Sequence, residues 1–436
     1  MSSSLSKATI LITGAGIAGP TLGLQILAHP LLAAGFHPLL LDRLPLPPAP
    51  SAFETGAPPY ASGASPYASG ASPYASGAGV VLSSNDLHSL YALGLKGDFN
   101  TISEEGMTMD IWRADSKNPA RPGRYLNRLA SPCWAKDVDS GLRTVERAKL
   151  QSLLVHKYIS KGGETRWNAN VVGVQQTSSG VDVLLEGGEK VAGDLVVGAD
   201  GVWSSIRRAL LNGDDERWKP EYQGSTALLG IVSRPDVKNY EQLAGKGRIV
   251  ARIEYETVQL EGYKAQFSTG GYSAESSWEV LRKYENVWHP TYGTFGNVFK
   301  AAERMGRVVF WQRIWRENEI QGRNMVLVGD AARCMAHGQG ANFSIEDVTV
   351  LADALLNNSA TIDPSTNQKS FENALKEYAS QCVPRSRKVA MQCYWSNMIS
   401  QGDKWWSGWL RDFLTRKVKW TPIIESIVLP RSVDGA

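Results

Sequence analysis

Three short glycine clusters, far apart and in a fixed order, constrain this chain more than any other feature. The first is Gly14-Ala15-Gly16-Ile17-Ala18-Gly19, and the second is Gly198-Ala199-Asp200-Gly201. The third is Gly329-Asp330-Ala331-Ala332, followed shortly by Gly338-Gln339-Gly340-Ala341-Asn342. Each alone is a weak signal. Together they imply one long, doubly negative, nucleotide-bearing ligand, gripped by backbone from three separated segments.

The first cluster stands in the context that gives such a motif meaning. Ala8-Thr9-Ile10-Leu11-Ile12 is a short apolar, β-branched run and predicts a buried parallel strand. Residues 20–28 carry helical apolar spacing, and 38–41 predict a second strand that ends on Asp42. In this strand–turn–helix–strand unit Gly14 permits the tight turn. Gly16 lets backbone approach a pyrophosphate, and Gly19 lets the helix pack closely on the strand. The pyrophosphate would rest on the helix N-terminus, where unpaired N–H groups and the helix dipole favour anions. Asp42, 23 residues beyond Gly19, is placed to accept hydrogen bonds from an adenosine ribose. An acid there favours FAD or NAD over a 2′-phosphate.

The other two clusters separate those cofactors. Residues 194–197 predict a strand that delivers Asp200-Gly201, with Arg207 at the turn that follows. Residues 324–328 predict a buried strand that delivers Asp330, within reach of sugar or ribityl hydroxyls. Residues 338–342 open a helix whose free N–H groups would stabilise negative charge on the pyrimidine side of a reduced flavin.

Elsewhere, helices are predicted over 84–93 and 144–158, with Leu150, Leu153 and Leu154 on one face of the latter. Strands are predicted over 171–174 and 181–185. Residues 211–320 read as a mixed, Tyr- and Trp-rich segment with weak strand alternation. From Asp347 the chain reads as helical to about Trp420. Trp395, Trp405, Trp406 and Trp409 recur there at helical spacing, which predicts packed core. Nearby Lys404, Arg411, Arg416 and Lys417 leave membrane-surface contact as the other reading.

Between Leu44 and Gly79 the heptad Pro-Tyr-Ala-Ser-Gly-Ala-Ser repeats, from Pro59 and again from Pro66, with a third copy from Pro73 that diverges at Gly79. This composition buries too little apolar surface to offset ordering entropy, so a mobile surface loop over 44–76 is expected. A lid or partner ligand anchored by its tyrosines is the alternative. Net charge is +3 with acids and bases intermixed, which argues against nucleic acid. The N-terminus shows no signal-peptide pattern and no long uncharged apolar stretch occurs, so neither secretion nor a transmembrane segment is expected. Cys133, Cys334, Cys382 and Cys393 form no Cys-x-x-Cys pair. They read as free, buried thiols in a reducing, cytoplasmic compartment, and they argue against a flavin disulfide reductase.

With all three motifs in this order, the chain resembles the single-component FAD-dependent aromatic hydroxylases that share the para-hydroxybenzoate hydroxylase fold, the salicylate hydroxylases among them. The resemblance spans most of residues 8–210 and 286–350 and is faint over 215–285, where substrates differ. It implies an α/β fold: a Rossmann-like FAD-binding domain, a mixed-sheet substrate domain and a helical C-terminus. The expected division is 1–97, 141–210 and 322–360 for the FAD domain, 98–140 and 211–321 for the substrate domain, and 361–436 for the C-terminal segment. The implied cofactor-binding set is Gly14, Gly16, Ala18, Gly19, Asp42, Arg43, Gly79, Arg147, Asp200, Gly201, Asp330, Gly340, Ala341 and Asn342. In the family, the arginine at the position of Arg147 contacts the cofactor. Asp200 would support both the flavin nucleotide and reductant binding, Asp330 the ribityl chain, and residues 340–342 the isoalloxazine. The implied reaction consumes NAD(P)H and O2 and passes one oxygen atom from a flavin C4a-hydroperoxide to an electron-rich small-molecule substrate. Hydroxylation of a phenol is the first reading. Epoxidation or oxidative rearrangement of a terpenoid or alkaloid, and a non-oxygenating flavin protein, are the alternatives.

The chain departs from the family pattern beside the third motif. Arg333 stands where the family usually has histidine, and the short segment Cys334-Met335-Ala336-His337 lacks the usual proline. His337 is a candidate base or hydrogen-bond donor to substrate, or a residue packed on the flavin. Residues 311–315, Trp-Gln-Arg-Ile-Trp, read as a border of the cavity floor. Tyr222, Tyr255 and Phe267 read as pocket aromatics or as sheet packing.

Overall fold

A computed structural model describes residues 7–50, 79–105, 108–113, 118, 120–130, 142–178, 180–213, 216–232, 282, 284–289, 293–335, 340–359, 371–401, 409–410 and 413. The repeat lies outside the described residues, as do Tyr255, Phe267 and His337.

The first predicted unit forms as expected: strand Ala8–Thr13, helix Ala18–Ala28 and strand Phe36–Leu41, with a short helix Pro30–Gly35 before the second strand. Ile10, Leu11 and Ile12 are fully buried, each contributing about 1.5–3 kcal/mol of apolar burial. Such continuous burial is what a central parallel strand with covered faces requires.

The principal sheet has six strands. In spatial order they are Gln321–Gly322, Met325–Leu327, Leu195–Gly198, Ala8–Thr13, Phe36–Leu41 and Glu164–Arg166. Every pairing is parallel except that of the edge strand Gln321–Gly322. The chain begins at the centre, builds outward to Glu164–Arg166, then returns to the other side of Ala8–Thr13. The strand order therefore reverses between Ala8–Thr13 and Leu195–Gly198. Ligands of doubly wound sheets bind at such a point, outside the carboxyl ends of the strands.

The second sheet system is antiparallel. Strand Glu221–Val232 pairs with Ala302–Ile314, whose end pairs with Arg333–Cys334. This fold is the mixed α/β architecture expected.

Two expectations on local structure are corrected. Thr144, Val145 and Glu146 are not helical: Leu142–Glu146 is a strand between Gly79–Ser83 and Ser103–Glu105, and the helix is Arg147–Ser160. Alternation settles it, since Arg143 and Val145 point inward and Arg143 Nε donates to Ser103 Oγ at 2.8 Å. The helical run after Asp347 is not one element either. Helix Gly340–Asn357 packs against a second helix, Glu372–Gln401. Trp409 is not core: it is 68% exposed and stacks on Phe413 with centroids 5.5 Å apart. A ring stacked on its i+4 neighbour hides one face locally and leaves the other to water. Cys334 and Cys382 are free and buried, as expected of them. Among the described residues no helix is long and apolar enough to cross a membrane.

Candidate functional site

The site is built by strand register. Thr13 lies opposite Leu41 on one side and Gly198 on the other, and Gly198 lies opposite Leu327. Four strands thus end in one row, and each hands the chain to one part of the predicted site. Backbone hydrogen bonds stitch the row: Gly14 N–H to Leu41 O at 2.7 Å, Ala199 N–H to Thr13 O at 2.8 Å, and Val328 N–H to Gly198 O at 3.0 Å. Three glycine clusters separated by well over a hundred residues become neighbours because their strands are neighbours.

The first turn is a steric construction. Gly14 has φ +100°, and a Cβ there would stand 2.4 Å from Ala199 O. A Cβ on Gly19 would stand 2.1 Å from Gly14 O. Gly16 differs, because the nearest atom to its Cβ position is Arg147 Nη2 at 3.7 Å. Gly16 therefore faces open space beside a guanidinium. Helix Ala18–Ala28 has no side-chain cap and no acid in its first turn, so its N-terminal N–H groups are left to an anion. From below, Gln151 Nε2 donates to Ala15 O at 2.7 Å. Gln151 is one turn beyond Arg147 on the same helix face, a spacing that could have revealed it in the sequence.

Asp42 is half-buried at its strand end. Its Oδ2 accepts from Ala15 N–H at 2.6 Å and its Oδ1 from Leu44 N–H at 2.7 Å. Burial raises its pKa, against the pull of these two N–H groups and of Arg43 and Arg147. Each carboxylate oxygen keeps a further lone pair for a ligand hydroxyl. Arg43 is exposed, Ala18 is buried at the helix start, and Gly79 opens its strand opposite Glu146.

Asp200 works at a helix N-terminus. Its Oδ2 accepts from Ser205 N–H at 2.8 Å and from Ser205 Oγ at 3.1 Å. Its Oδ1 is buried with no partner among the described residues. A buried carboxylate oxygen left so is costly unless something donates to it, and a cofactor hydroxyl or N–H fits that need. Gly201 follows at φ +82° with open space at its Cβ position.

Arg207 lies on helix Ser205–Leu210 and not in a turn. Its guanidinium is buried and donates to Trp218 O and Ala331 O, both at 2.8 Å, and to Val202 O. It also lies 4.0 Å over the Trp315 ring. Arg207 therefore ties the second cluster to the third, and Trp315, read as a cavity border, is fully buried support instead.

The third turn is held by charge. Asp330 feels Arg147, Arg207 and Arg333, which oppose the upward push of burial on its pKa. Among the described residues none donates a hydrogen bond to its carboxylate. A Cβ on Gly340, where helix Gly340–Asn357 begins, would lie 3.2 Å from Asp330 Oδ1. Arg333, in the family's histidine position, is buried and paired with Asp347, whose Oδ2 accepts from Gly329 N–H at 2.8 Å. Sequence reading missed this pair. Asp347 falls among Phe343, Ile345, Val348 and Leu351 on the buried face of its helix, and a carboxylate there demands a partner.

Arg147 completes the assembly. Burial depresses its pKa while Asp330 and Asp42 raise it, so one guanidinium stands between the acids of the first and third segments, beside Gly16. Ala341 is buried and Asn342 half-buried in the first turn of their helix. Tyr222 meets Trp311 edge-on at 5.9 Å, and Trp311 meets Trp203 at 5.1 Å, making an aromatic wall beside the second cluster. Among the described residues no His, Cys, Asp and Glu group could hold a metal.

Taken together, the residues suit a dinucleotide with a pyrophosphate, two polyol segments and an anionic ring. Comparisons agree. The family model described as "FAD binding domain" matches residues 137–392. The aurachin C monooxygenase/isomerase of Stigmatella aurantiaca is 26% identical over 421 residues, covering 94% of each chain. The 3-hydroxybenzoate 6-hydroxylase 1 of Aquipseudomonas alcaligenes is 25% identical over 389 residues, covering 84% of each. Among solved structures, Klebsiella pneumoniae HpxO complexed with FAD and uric acid aligns over 97% of this chain and 96% of its own, with a TM-score of 0.67 at 17% identity.

Proposed function

The chain belongs to the FAD binding domain family, and from that premise we propose that it is an NAD(P)H- and O2-consuming monooxygenase that hydroxylates a phenolic or other electron-rich small molecule. The observation that carries this reading is the row of strand ends at the switch point, where four segments of the chain present one continuous set of donors, acceptors and open backbone. When bound, FAD supplies hydride acceptance from NAD(P)H and the reaction with oxygen.

Within this reading the residues divide the work of holding it. Gly16 and the N-terminus of helix Ala18–Ala28 take the pyrophosphate, with Arg147 balancing its charge. Asp42 accepts from the ribose of the adenosine, Asp330 from the ribityl chain, and Asp200 Oδ1 from the cofactor on its buried side. The N–H groups at residues 340–342, at the start of helix Gly340–Asn357, would favour negative charge on the flavin ring. Tyr222 and Trp311 border the substrate on the sheet side and keep water out. His337 is the candidate base for a phenolic hydroxyl, and a His337→Gln variant that keeps the wild-type pH profile of kcat would remove it from that role.

A second reading has its own support. The relative covering 94% of both chains is named as a monooxygenase and isomerase, and another relative is a zeaxanthin epoxidase. Epoxidation or oxidative rearrangement would use the same cofactor site on a different substrate wall.

The test is purification followed by a screen of phenols for stimulated NAD(P)H oxidation, with mass spectrometry under 18O2. One labelled oxygen in the product establishes the oxygenase. Stimulated oxidation without label marks a reductase or dehydrogenase, and a yellow protein that no substrate stimulates marks a flavin-binding sensor.

A further inference from the structure

We propose that Arg333 and Asp347 are positioning residues for the cofactor: this buried pair sets the placement of Asp330 relative to the N-terminus of helix Gly340–Asn357, and through it the grip on FAD. The inference rests on FAD occupying the site described above.

The geometry is a bracket. Asp347 lies two turns beyond Gly340 on one helix, so both project from the same face toward the Gly329-Asp330 turn. Gly340 abuts the Asp330 carboxylate, with its Cβ position 3.2 Å from Oδ1. Asp347 Oδ2 accepts the N–H of Gly329, the residue just before, at 2.8 Å. Gly329 itself is held at φ +59°, and a Cβ there would lie 2.8 Å from Ser344 Oγ of the same helix. One helix therefore holds the turn by one hydrogen bond and approaches it closely at two further points.

Arg333 sets the angle of the gripping carboxylate. Its Nη2 donates to Asp347 Oδ1, which leaves Oδ2 directed at Gly329. The guanidinium is fixed in turn 4.9 Å over the Phe343 ring, and its backbone is fixed by pairing of Arg333–Cys334 with Arg313–Ile314. Tyr378 and Cys382 of helix Glu372–Gln401 close the other side, and Tyr378 OH donates to Leu327 O at 2.8 Å. The pair is buried, with Arg333 3% and Asp347 0% exposed. A buried ion pair is a poor route to stability, because apolar residues of like volume often do as well. Its value here is directional. It aims one acceptor at one backbone N–H, next to the carboxylate that the cofactor would meet.

Two double variants of the full-length chain test this. Arg333→Met/Asp347→Asn removes both charges and keeps a carbonyl acceptor for Gly329 N–H. Arg333→Met/Asp347→Leu removes the charges and the acceptor. FAD dissociation constants by flavin fluorescence, visible spectra of the bound flavin, and melting of the apoprotein are measured for both and for wild type. The expected result is apoproteins that melt within a few degrees of each other. The Asn variant, whose acceptor is no longer aimed by Arg333, should hold FAD about threefold more weakly than wild type, and the Leu variant, with no acceptor, at least ~10-fold more weakly, with an altered flavin spectrum. Wild-type affinity in the Asn variant overturns the positioning role of Arg333. Equal FAD affinity in the two variants overturns the proposal. So does failure of the Leu variant, or of both, to fold, which would make the pair a requirement of the fold alone. A wild-type chain that binds no FAD would instead overturn the reading on which the proposal rests.

Discussion

The first and third glycine turns lie at the same sheet edge on either side of the second, yet they are held by different physics. The turn after Ala8–Thr13 is fixed by the absence of side chains. Gly14 and Gly19 leave no room for a Cβ, and the bond that joins Gly14 to the neighbouring strand end at Leu41 is backbone to backbone. The turn after Met325–Leu327 also needs a glycine at Gly329, but its ligand-facing carboxylate is placed by charge, with Asp330 among Arg147, Arg207 and Arg333, and Asp347 on the Gly329 N–H. The difference teaches which part of a cofactor site is rigid scaffold and which is tunable. A steric turn either forms or fails. A charged turn can weaken its ligand while the fold stays intact.

The largest effect should follow from filling the steric turn. Gly14→Val places a branched side chain at φ +100°, 2.4 Å from Ala199 O. The turn and its bond to Leu41 cannot both survive, and a loss of several kcal/mol is expected. Thermal melting should fall steeply and the purified protein should be colourless. A yellow, stably folded Gly14→Val protein would break the comparison at its root.

Asp330→Ala should separate the two turns. No described residue depends on that carboxylate for a hydrogen bond, so the apoprotein should melt near wild type. Hydrogen bonds to a charged acceptor contribute about 1.5–3 kcal/mol each, so FAD affinity should fall by at least ~10-fold and the protein should purify largely flavin-free. If melting fell as far as in Gly14→Val, the third turn would be scaffold as well.

How much of this was legible in the sequence follows the same division. Sterically fixed turns announce themselves, because only glycine is allowed and the surrounding strands are short apolar runs; Gly14, Gly19 and Asp42 were read from the chain alone. That the three clusters converge on one ligand was read once they were taken together, whereas the strand order that brings them together came from the structure. What was not legible depended on contacts across long sequence separations. Residues 144–146 read as helix because the pairing of Leu142–Glu146 with Gly79–Ser83 and Ser103–Glu105 is tertiary, and Arg143, polar in sequence, is buried with its guanidinium on Ser103. Arg207 read as a turn residue, although its role is to join Val202, Trp218 and Ala331. Arg333 read as a departure from pattern, and its partner Asp347 lies on another element. A charge on an apolar face says that a partner exists without saying which.

The smallest expected effects sharpen the contrast, because they place one methyl group in each turn. Gly16→Ala meets nothing closer than Arg147 Nη2 at 3.7 Å, so the apoprotein should be unchanged or slightly stabilised by the reduced freedom of the unfolded chain. Its cost should fall on FAD alone, since the methyl enters the space through which a pyrophosphate reaches the backbone. Gly340→Ala is the counterpart in the charged turn. Its methyl would sit 3.2 Å from Asp330 Oδ1, a contact the carboxylate can relieve by turning a few tenths of an ångström. Because Asp330 has no hydrogen bond to a described residue to resist that turn, the fold should not register it, and FAD affinity should drop only a few-fold. If Gly340→Ala instead weakened FAD more than Gly16→Ala did, the aim of the Asp330 carboxylate would matter more than access to the pyrophosphate. The tunable turn would then be the more exacting of the two.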